Sequence, residues 1–265
     1  MIIMDHSEWK KEHAKIIEEE KSFLKQRERE VSSFVNEMVE EVVPEKFCEK
    51  LNTAFVKGFE LIFQKGLPVV EKTYSRQKYR EDYNINRFIM NQRKKGGING
   101  FKDTAEKAGR KNLLLSGAEG VGLGVLGVGI PDIPIFIGMI MKSVQEIALS
   151  YGFEYQSESE KIFILRLIRT AISRGDEFKN GNILLGKMIC DYQMEKTTEK
   201  EEIALTAKAL SDRLLYMKFV QGIPIVGIVG GISDVTVMKE VSEYARLIYK
   251  KRFLRKIWLA GKDML

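Results

Sequence analysis

Residues 112–152 read NLLLSGAEGVGLGVLGVGIPDIPIFIGMIMKSVQEIALSYG and hold only four charged side chains, Glu119, Asp132, Lys142 and Glu146. So few charges over this length mark chain that is enclosed on nearly every side. The stretch divides at Ile130-Pro131-Asp132, because proline interrupts a helix while Asp accepts from the free N–H groups that open the next one. The reading is an apolar helix, a turn, and a second apolar helix ending at Gly152. A bilayer span needs ~20 apolar residues. Residues 120–131 supply twelve uncharged positions and 133–141 supply nine. Two placements follow: a buried helical hairpin that forms the core, or a re-entrant hairpin that dips into a membrane with Pro131-Asp132 at its tip.

Working outward, helical periodicity continues on both sides. Over 9–43 the apolar positions Trp9, Ile16, Phe23, Leu24, Val31, Phe34, Val35, Met38, Val39 and Val42 recur at three-, four- and seven-residue steps. This predicts one long charged amphipathic helix over 1–43, with Glu18, Glu19 and Glu20 on its outer face. Pro44 opens a second helix, and Gly66 with Pro68 closes it. A third is expected from about 69 to 94, followed by a break at Gly96, Gly97 and Gly100. Ser157 with Glu160 reads as a capping box opening a helix that runs to about Ser173. Turns are expected at Gly175 and around Gly181. Helix resumes over 198–220, and Asp234 caps a last helix running into the basic end. With no alternating strand pattern of useful length, the fold class is all-α: one domain over 1–265, of about eight to ten helices.

The chain has 265 residues, 44% hydrophobic and 30% charged, which suits a folded core and excludes disorder throughout. Cys48 and Cys190 cannot build a disulfide framework or a Cys-rich zinc site, so a reducing compartment is expected. The first residues include Asp5 and Glu8 without an apolar run, so no secretory signal is expected. Charge is unevenly placed within the net +6. Residues 71–111 hold 12 basic and 5 acidic side chains, and 246–265 hold 7 and 1. Basic stretches flanking an apolar centre suit an anionic lipid surface or nucleic acid. No nucleic-acid recognition module is present, so lipid is the expected partner. In the basic tail over 246–265, Lys250, Lys251, Arg252, Arg255, Lys256 and Trp258 are the candidate membrane-surface residues.

Catalytic motifs are thin. Gly122-Leu123-Gly124-Val125-Leu126-Gly127 matches G-x-G-x-x-G but lacks the surrounding βαβ pattern. Residues 181–188, GNILLGKM, resemble a phosphate loop until Met188 replaces the Ser or Thr that would hold Mg²⁺. His6 and His13 belong to no metal or triad motif. No cofactor and no metal are therefore expected. The polar candidates are the sparse charges in apolar surroundings: Glu119, Asp132, Lys142, Glu146 and Asp234. Asp132 and Asp234 suit helix N-caps, and Lys142 can pair with Glu146 one turn on. Gly120 with Gly124, and Gly227 with Gly231, stand four apart and permit close helix packing.

The blocks GAEGVGLGVLGVGIPDIPIFIGMIMKSVQEIALSYGFEY (117–155) and KFVQGIPIVGIVGGISDVTVMKEVSEYARLIY (218–249) resemble the EcsC protein family, and the likeness extends over about 30–255. That family takes its name from a gene neighbouring an ABC transporter involved in secretion. The resemblance implies an all-α bacterial protein, cytoplasmic and peripheral to the inner face of the membrane, and supplies no catalytic residue. The expected function is an accessory or scaffold role with a membrane-protein partner, linked to transport or secretion. Two other classes stay open: a soluble binder of a lipid-like ligand, and a carboxylate- or metal-dependent hydrolase. The oligomeric state is left open.

Overall fold

The computed structural model describes residues 4–27, 43–66, 70–92, 97–124, 133–191, 197–220 and 232–262. Among these residues it holds nine α-helices and no strand: α1 His6–Arg27, α2 Glu45–Leu61, α3 Arg76–Asn91, α4 Asn99–Gly124, α5 Ile133–Ser150, α6 Glu158–Ile172, α7 Gly175–Asp191, α8 Glu199–Val220 and α9 Ile232–Lys262. A π-helical turn, Ile62–Gly66, prolongs α2.

The centre is α5. Ile133, Phe136, Ile137, Ile140, Met141, Val144, Ile147, Ala148 and Leu149 are all buried, which places apolar contacts around the whole helix. Helices α2, α3, α4 and α9 pack on it. The helix is long and apolar enough to cross a bilayer, yet 72% of it is buried inside the protein. In this fold it is core. The other long element is α9, 31 residues, roughly 45 Å at 1.5 Å per residue. It lies along α4, α5 and α6, and α1 covers part of its outer side. Helix α6 joins α7, α8 and α9, and α8 also packs against α2.

Local chemistry sets several ends. Helix α5 stops in a Schellman motif: Phe153 N–H donates to Ala148 O (3.0 Å) and Gly152 N–H to Leu149 O (2.9 Å). Gly152 has φ +72°, and the Tyr83 ring fills the space a side chain there would need. Ser157 accepts from Glu160 N–H (3.2 Å), as the capping reading expects. The Glu160 carboxylate does not complete the box; it takes Arg252 Nη1 (2.7 Å) and the Tyr249 hydroxyl (2.8 Å) instead. The reciprocal box stands on α8, where Glu201 N–H donates to Thr198 Oγ1 (3.2 Å) and Thr198 N–H to Glu201 Oε2 (2.8 Å).

Other expectations shift. The third helix is shorter, Arg76–Asn91, because Ser75 caps it by accepting from Lys78 N–H (3.2 Å). Gly100 and Gly181 lie inside helices rather than in breaks. Each is small because a neighbouring side chain occupies its Cβ direction, Asn86 at Gly100 and Thr170 at Gly181. The helix expected over 1–43 is described as far as Arg27, and 28–42 lie outside the described residues. So do the turn at 130–132, with Asp132, and the segment holding Gly227 and Gly231.

Candidate functional site

Among the described side chains, two of the five polar candidates can be placed, Lys142 and Glu146, and Glu146 lies in a buried polar cluster. It projects from α5 with 1% of its surface exposed. Asn112 of α4 donates its Nδ2 to Glu146 Oε2, and Tyr79 of α3 adds a hydrogen bond. Lys142, half-buried one turn earlier on α5, attracts the carboxylate electrostatically. Burial outweighs these three stabilising contacts and holds the Glu146 carboxyl above its ordinary pKa. Asn112 Oδ1, also buried, has no hydrogen-bond partner among the described residues. Each protonation state of Glu146 can use one end of this amide: the carboxylate accepts from Nδ2, and a protonated carboxyl could donate to Oδ1 after an amide flip.

The raised pKa has a sign that can be measured. A carboxyl held above its unfolded value of 4.5 adds stability that is present below that pH and is lost as pH rises through the folded value. Glu146→Gln removes the penalty, and its new amide can donate to Asn112 Oδ1. The variant is expected to be at least as stable as wild type at pH 8, with wild type gaining relative stability as pH falls toward 4.5. Urea unfolding between pH 4.5 and 8 tests this. A Gln variant clearly weaker at pH 8 would show that the carboxylate is favoured where it lies.

A second polar chain begins next door at Gln145. The Tyr74 hydroxyl has one proton for two acceptors, Gln145 Oε1 (3.1 Å) and the Tyr155 oxygen (2.6 Å). Tyr155 donates to Glu71 Oε1 (2.8 Å). Desolvation raises both phenols, Tyr155 to about 12. Arg76 lies over the Tyr155 ring (5.3 Å) and pairs with Glu154, which also takes Arg80 (2.9 Å). Together the two chains fasten α3 to α5. Sequence reasoning found Glu146 by its isolation among apolar residues. It missed Tyr74, Tyr79, Asn112, Gln145 and Tyr155, whose residue types are common at exposed positions.

The remaining candidates separate. Glu119, Gly120 and Gly124 fall on α4, and Asp234 on α9, but their side-chain surroundings are outside the described residues. At the basic end, Lys250 is 3% exposed and lies 3.1 Å from Glu19 and 3.6 Å from Glu12. Lys251 pairs with Glu20 at 2.8 Å. Arg252 pairs with Glu160 and lies over the Phe153 and Phe163 rings at 4.5 and 4.4 Å. Trp258 stacks on Trp9 (4.4 Å) and meets His6 (5.3 Å). Arg255 is half-buried and Lys256 exposed. Part of the charged face of α1, expected to meet water, instead meets α9, with Glu12 buried between them. The segment over 246–262 is therefore part of a packed helix whose bases at 250–252 are matched within the molecule. Charge reversal there would put acids against Glu12, Glu19 and Glu20.

Between α1, α4 and α9 lies an open cleft of about 410 Å³, whose lining includes Glu19, Lys102, Glu106, Tyr151, Arg246 and Lys250. Its charges are mixed in sign. Among the described residues no three His, Cys, Asp or Glu side chains converge as a metal site would require.

The basic stretch over 71–111 is arranged differently from the C-terminal one. Lys78 and Arg87 on α3, and Lys107, Arg110 and Lys111 on α4, are exposed. Of these, Arg110 pairs with Glu106 along its own helix at 3.1 Å. The sequence reading placed its membrane-surface candidates on the C-terminal stretch; among the described residues the exposed, unmatched bases stand instead on 71–111, while those at 250–252 are paired.

Comparison with known proteins finds relatives over part of the chain. The chain is 29% identical over 144 residues to Protein EcsC of Bacillus subtilis (strain 168), covering 53% of this chain and 58% of that protein. It is 25% identical over 161 residues to the Uncharacterized protein YdbA of the same organism, covering 57% of each. The chain thus spans a little over half the length of these curated relatives. No solved structure matches it significantly. The model of the EcsC protein family matches residues 6–254, nearly the whole chain, and the protein therefore belongs to that family.

Proposed function

We propose that the protein is a membrane-peripheral accessory protein that adsorbs to an anionic membrane surface through the exposed basic side chains of α3 and α4. The observation that carries this reading is the contrast between the two basic stretches. Bases 250–252 are matched internally by Glu12, Glu19, Glu20 and Glu160, whereas Lys78, Arg87, Lys107 and Lys111 face solvent in the stretch with 12 basic and 5 acidic side chains. Each such base near anionic lipid contributes ~1 kcal/mol. The family resemblance extends the reading to the cytoplasmic face, with a membrane protein of transport or secretion as partner.

Cosedimentation with vesicles tests it. The protein is expected to bind phosphatidylglycerol-containing vesicles and not pure phosphatidylcholine, and to lose binding as salt shortens the screening length from ~8 Å toward ~3 Å at 1 M. Changing Lys78, Arg87, Lys107 and Lys111 together to Glu should weaken anionic binding by about tenfold or more. Failure of the wild type to bind either kind of vesicle would rule the reading out.

A further inference from the structure

Helix α3 carries two stripes. Tyr79, Tyr83, Asn86 and Met90 face the body of the protein, where Tyr79 reaches Glu146, Tyr83 packs against Phe101, Asn86 fills the space at Gly100 and Met90 is buried. On the opposite side Ile85, Phe88 and Ile89 are 57%, 64% and 40% exposed. Their spacing of three and four residues makes one ridge over two turns. Three of the eight exposed large hydrophobics among the described residues are gathered here, while the other five lie on α1, α2, α5, α7 and α8, one each. Isolated exposed apolar residues are ordinary; a ridge that the core does not use marks an interaction surface.

The charges around it select the partner. Lys78 is exposed on the ridge's side of the helix, seven residues before Ile85, and Arg87 is exposed on the side away from the ridge. The chain continues past Gln92 as Arg93-Lys94-Lys95. Glu81, exposed one turn before Ile85, is the acid on the ridge's side of the helix. An apolar ridge in a stretch with 12 basic and 5 acidic side chains is the composition of a helix lying in an anionic interface, where aliphatic stems enter the lipid and charged ends stay at the headgroups. We propose that α3 inserts Ile85, Phe88 and Ile89 into the boundary between headgroups and acyl chains of an anionic bilayer. This rests on the peripheral reading above and adds an apolar anchor to electrostatic adsorption.

The experiment separates the two. Phe88→Trp places a reporter at the most exposed ridge position, and its emission is read as the difference from wild type, in which Trp9 and Trp258, both half-buried, stack on each other between α1 and α9. On phosphatidylglycerol vesicles the difference spectrum is expected to shift to the blue and to be quenched by lipids brominated near the headgroup end of the acyl chain. The variant Ile85→Ser, Phe88→Ser, Ile89→Ser changes only exposed positions, so its circular dichroism should match wild type. Its partition to the same vesicles should fall by roughly 30-fold, as expected for withdrawing three apolar side chains from lipid. An unshifted, unquenched reporter on vesicles that the protein demonstrably binds would overturn insertion and leave adsorption standing. Absence of vesicle binding by the wild type would overturn both. Self-association abolished by the serine variant, without lipid binding, would assign the ridge to a second copy of the chain.

Discussion

Replacing Phe253 with Ala is expected to lower the free energy of unfolding by about 3–5 kcal/mol. Phe253 is fully buried on α9, with its ring centroid 4.7 Å from that of Phe101 on α4 and 5.6 Å from Tyr151 just past α5. Phe101 in turn meets Tyr83 of α3 edge-on at 5.5 Å. The ring thus joins three parts of the bundle directly and α3 through Phe101, and a methyl group in its place leaves a void that aromatic neighbours on separate elements cannot collapse to fill. Phe253→Leu, which keeps much of the volume, should cost about 1–2 kcal/mol. Denaturant unfolding of both variants checks the order and the size. A loss below about 1 kcal/mol for Ala would mean that α9 can move inward, and that the ring is not a fixed joint.

Truncating Glu202 to Leu should be nearly as severe, about 3–5 kcal/mol, for an electrostatic reason. Its carboxylate, 2% exposed at the side chain, takes Arg166 Nε at 2.7 Å and Arg169 Nη2 at 3.1 Å, joining α8 to α6. Arg166 is itself 6% exposed and also approaches Met188 Sδ at 3.7 Å. Removing the acid leaves a guanidinium in the interior without that countercharge. Replacing both partners, Arg166→Met with Glu202→Leu, should restore much of the loss, since an apolar pair of similar volume avoids the desolvation cost altogether. A double-mutant cycle by urea unfolding measures the coupling. The exposed Lys208–Asp212 pair at 2.8 Å supplies the control, where about 0.5 kcal/mol or less is expected. If Glu202→Leu costs no more than that control, the buried pair is not a joint between α6 and α8.

Much of the fold was legible because its causes are local. Ser157 and Thr198 open helices with side chains that reach three residues ahead, and Gly152 ends one through its own backbone freedom. Helix α5 was legible as an apolar helix with few charges, while core and re-entrant placements both stayed open until its burial was seen. The errors also have local causes. Gly100 and Gly181 read as breaks because a glycine at a turn and a glycine under a neighbour's side chain look the same in one dimension. Glu160 was assigned back to its own N-terminus because the sequence contains no sign of Arg252, 92 residues away.

The sequence by itself determined the helical class, the central apolar helix and the isolation of Glu146, since periodicity, capping and hydrophobic content act over a few turns. Only the tertiary structure decided what meets what. It set Lys250 against Glu19, 231 residues earlier, and so turned a basic tail into a paired, packed helix. It also chose between the two stripes of α3. Tyr79, Tyr83, Asn86 and Met90 carry no greater hydrophobicity than Ile85, Phe88 and Ile89, and the more polar stripe faces inward, where the Tyr79 hydroxyl donates to Glu146, the Tyr83 ring meets Phe101 and Asn86 fills the space at Gly100. Burial follows the free energy of the whole contact, hydrogen bonds included, and that contact exists only once α4 and α5 are in place.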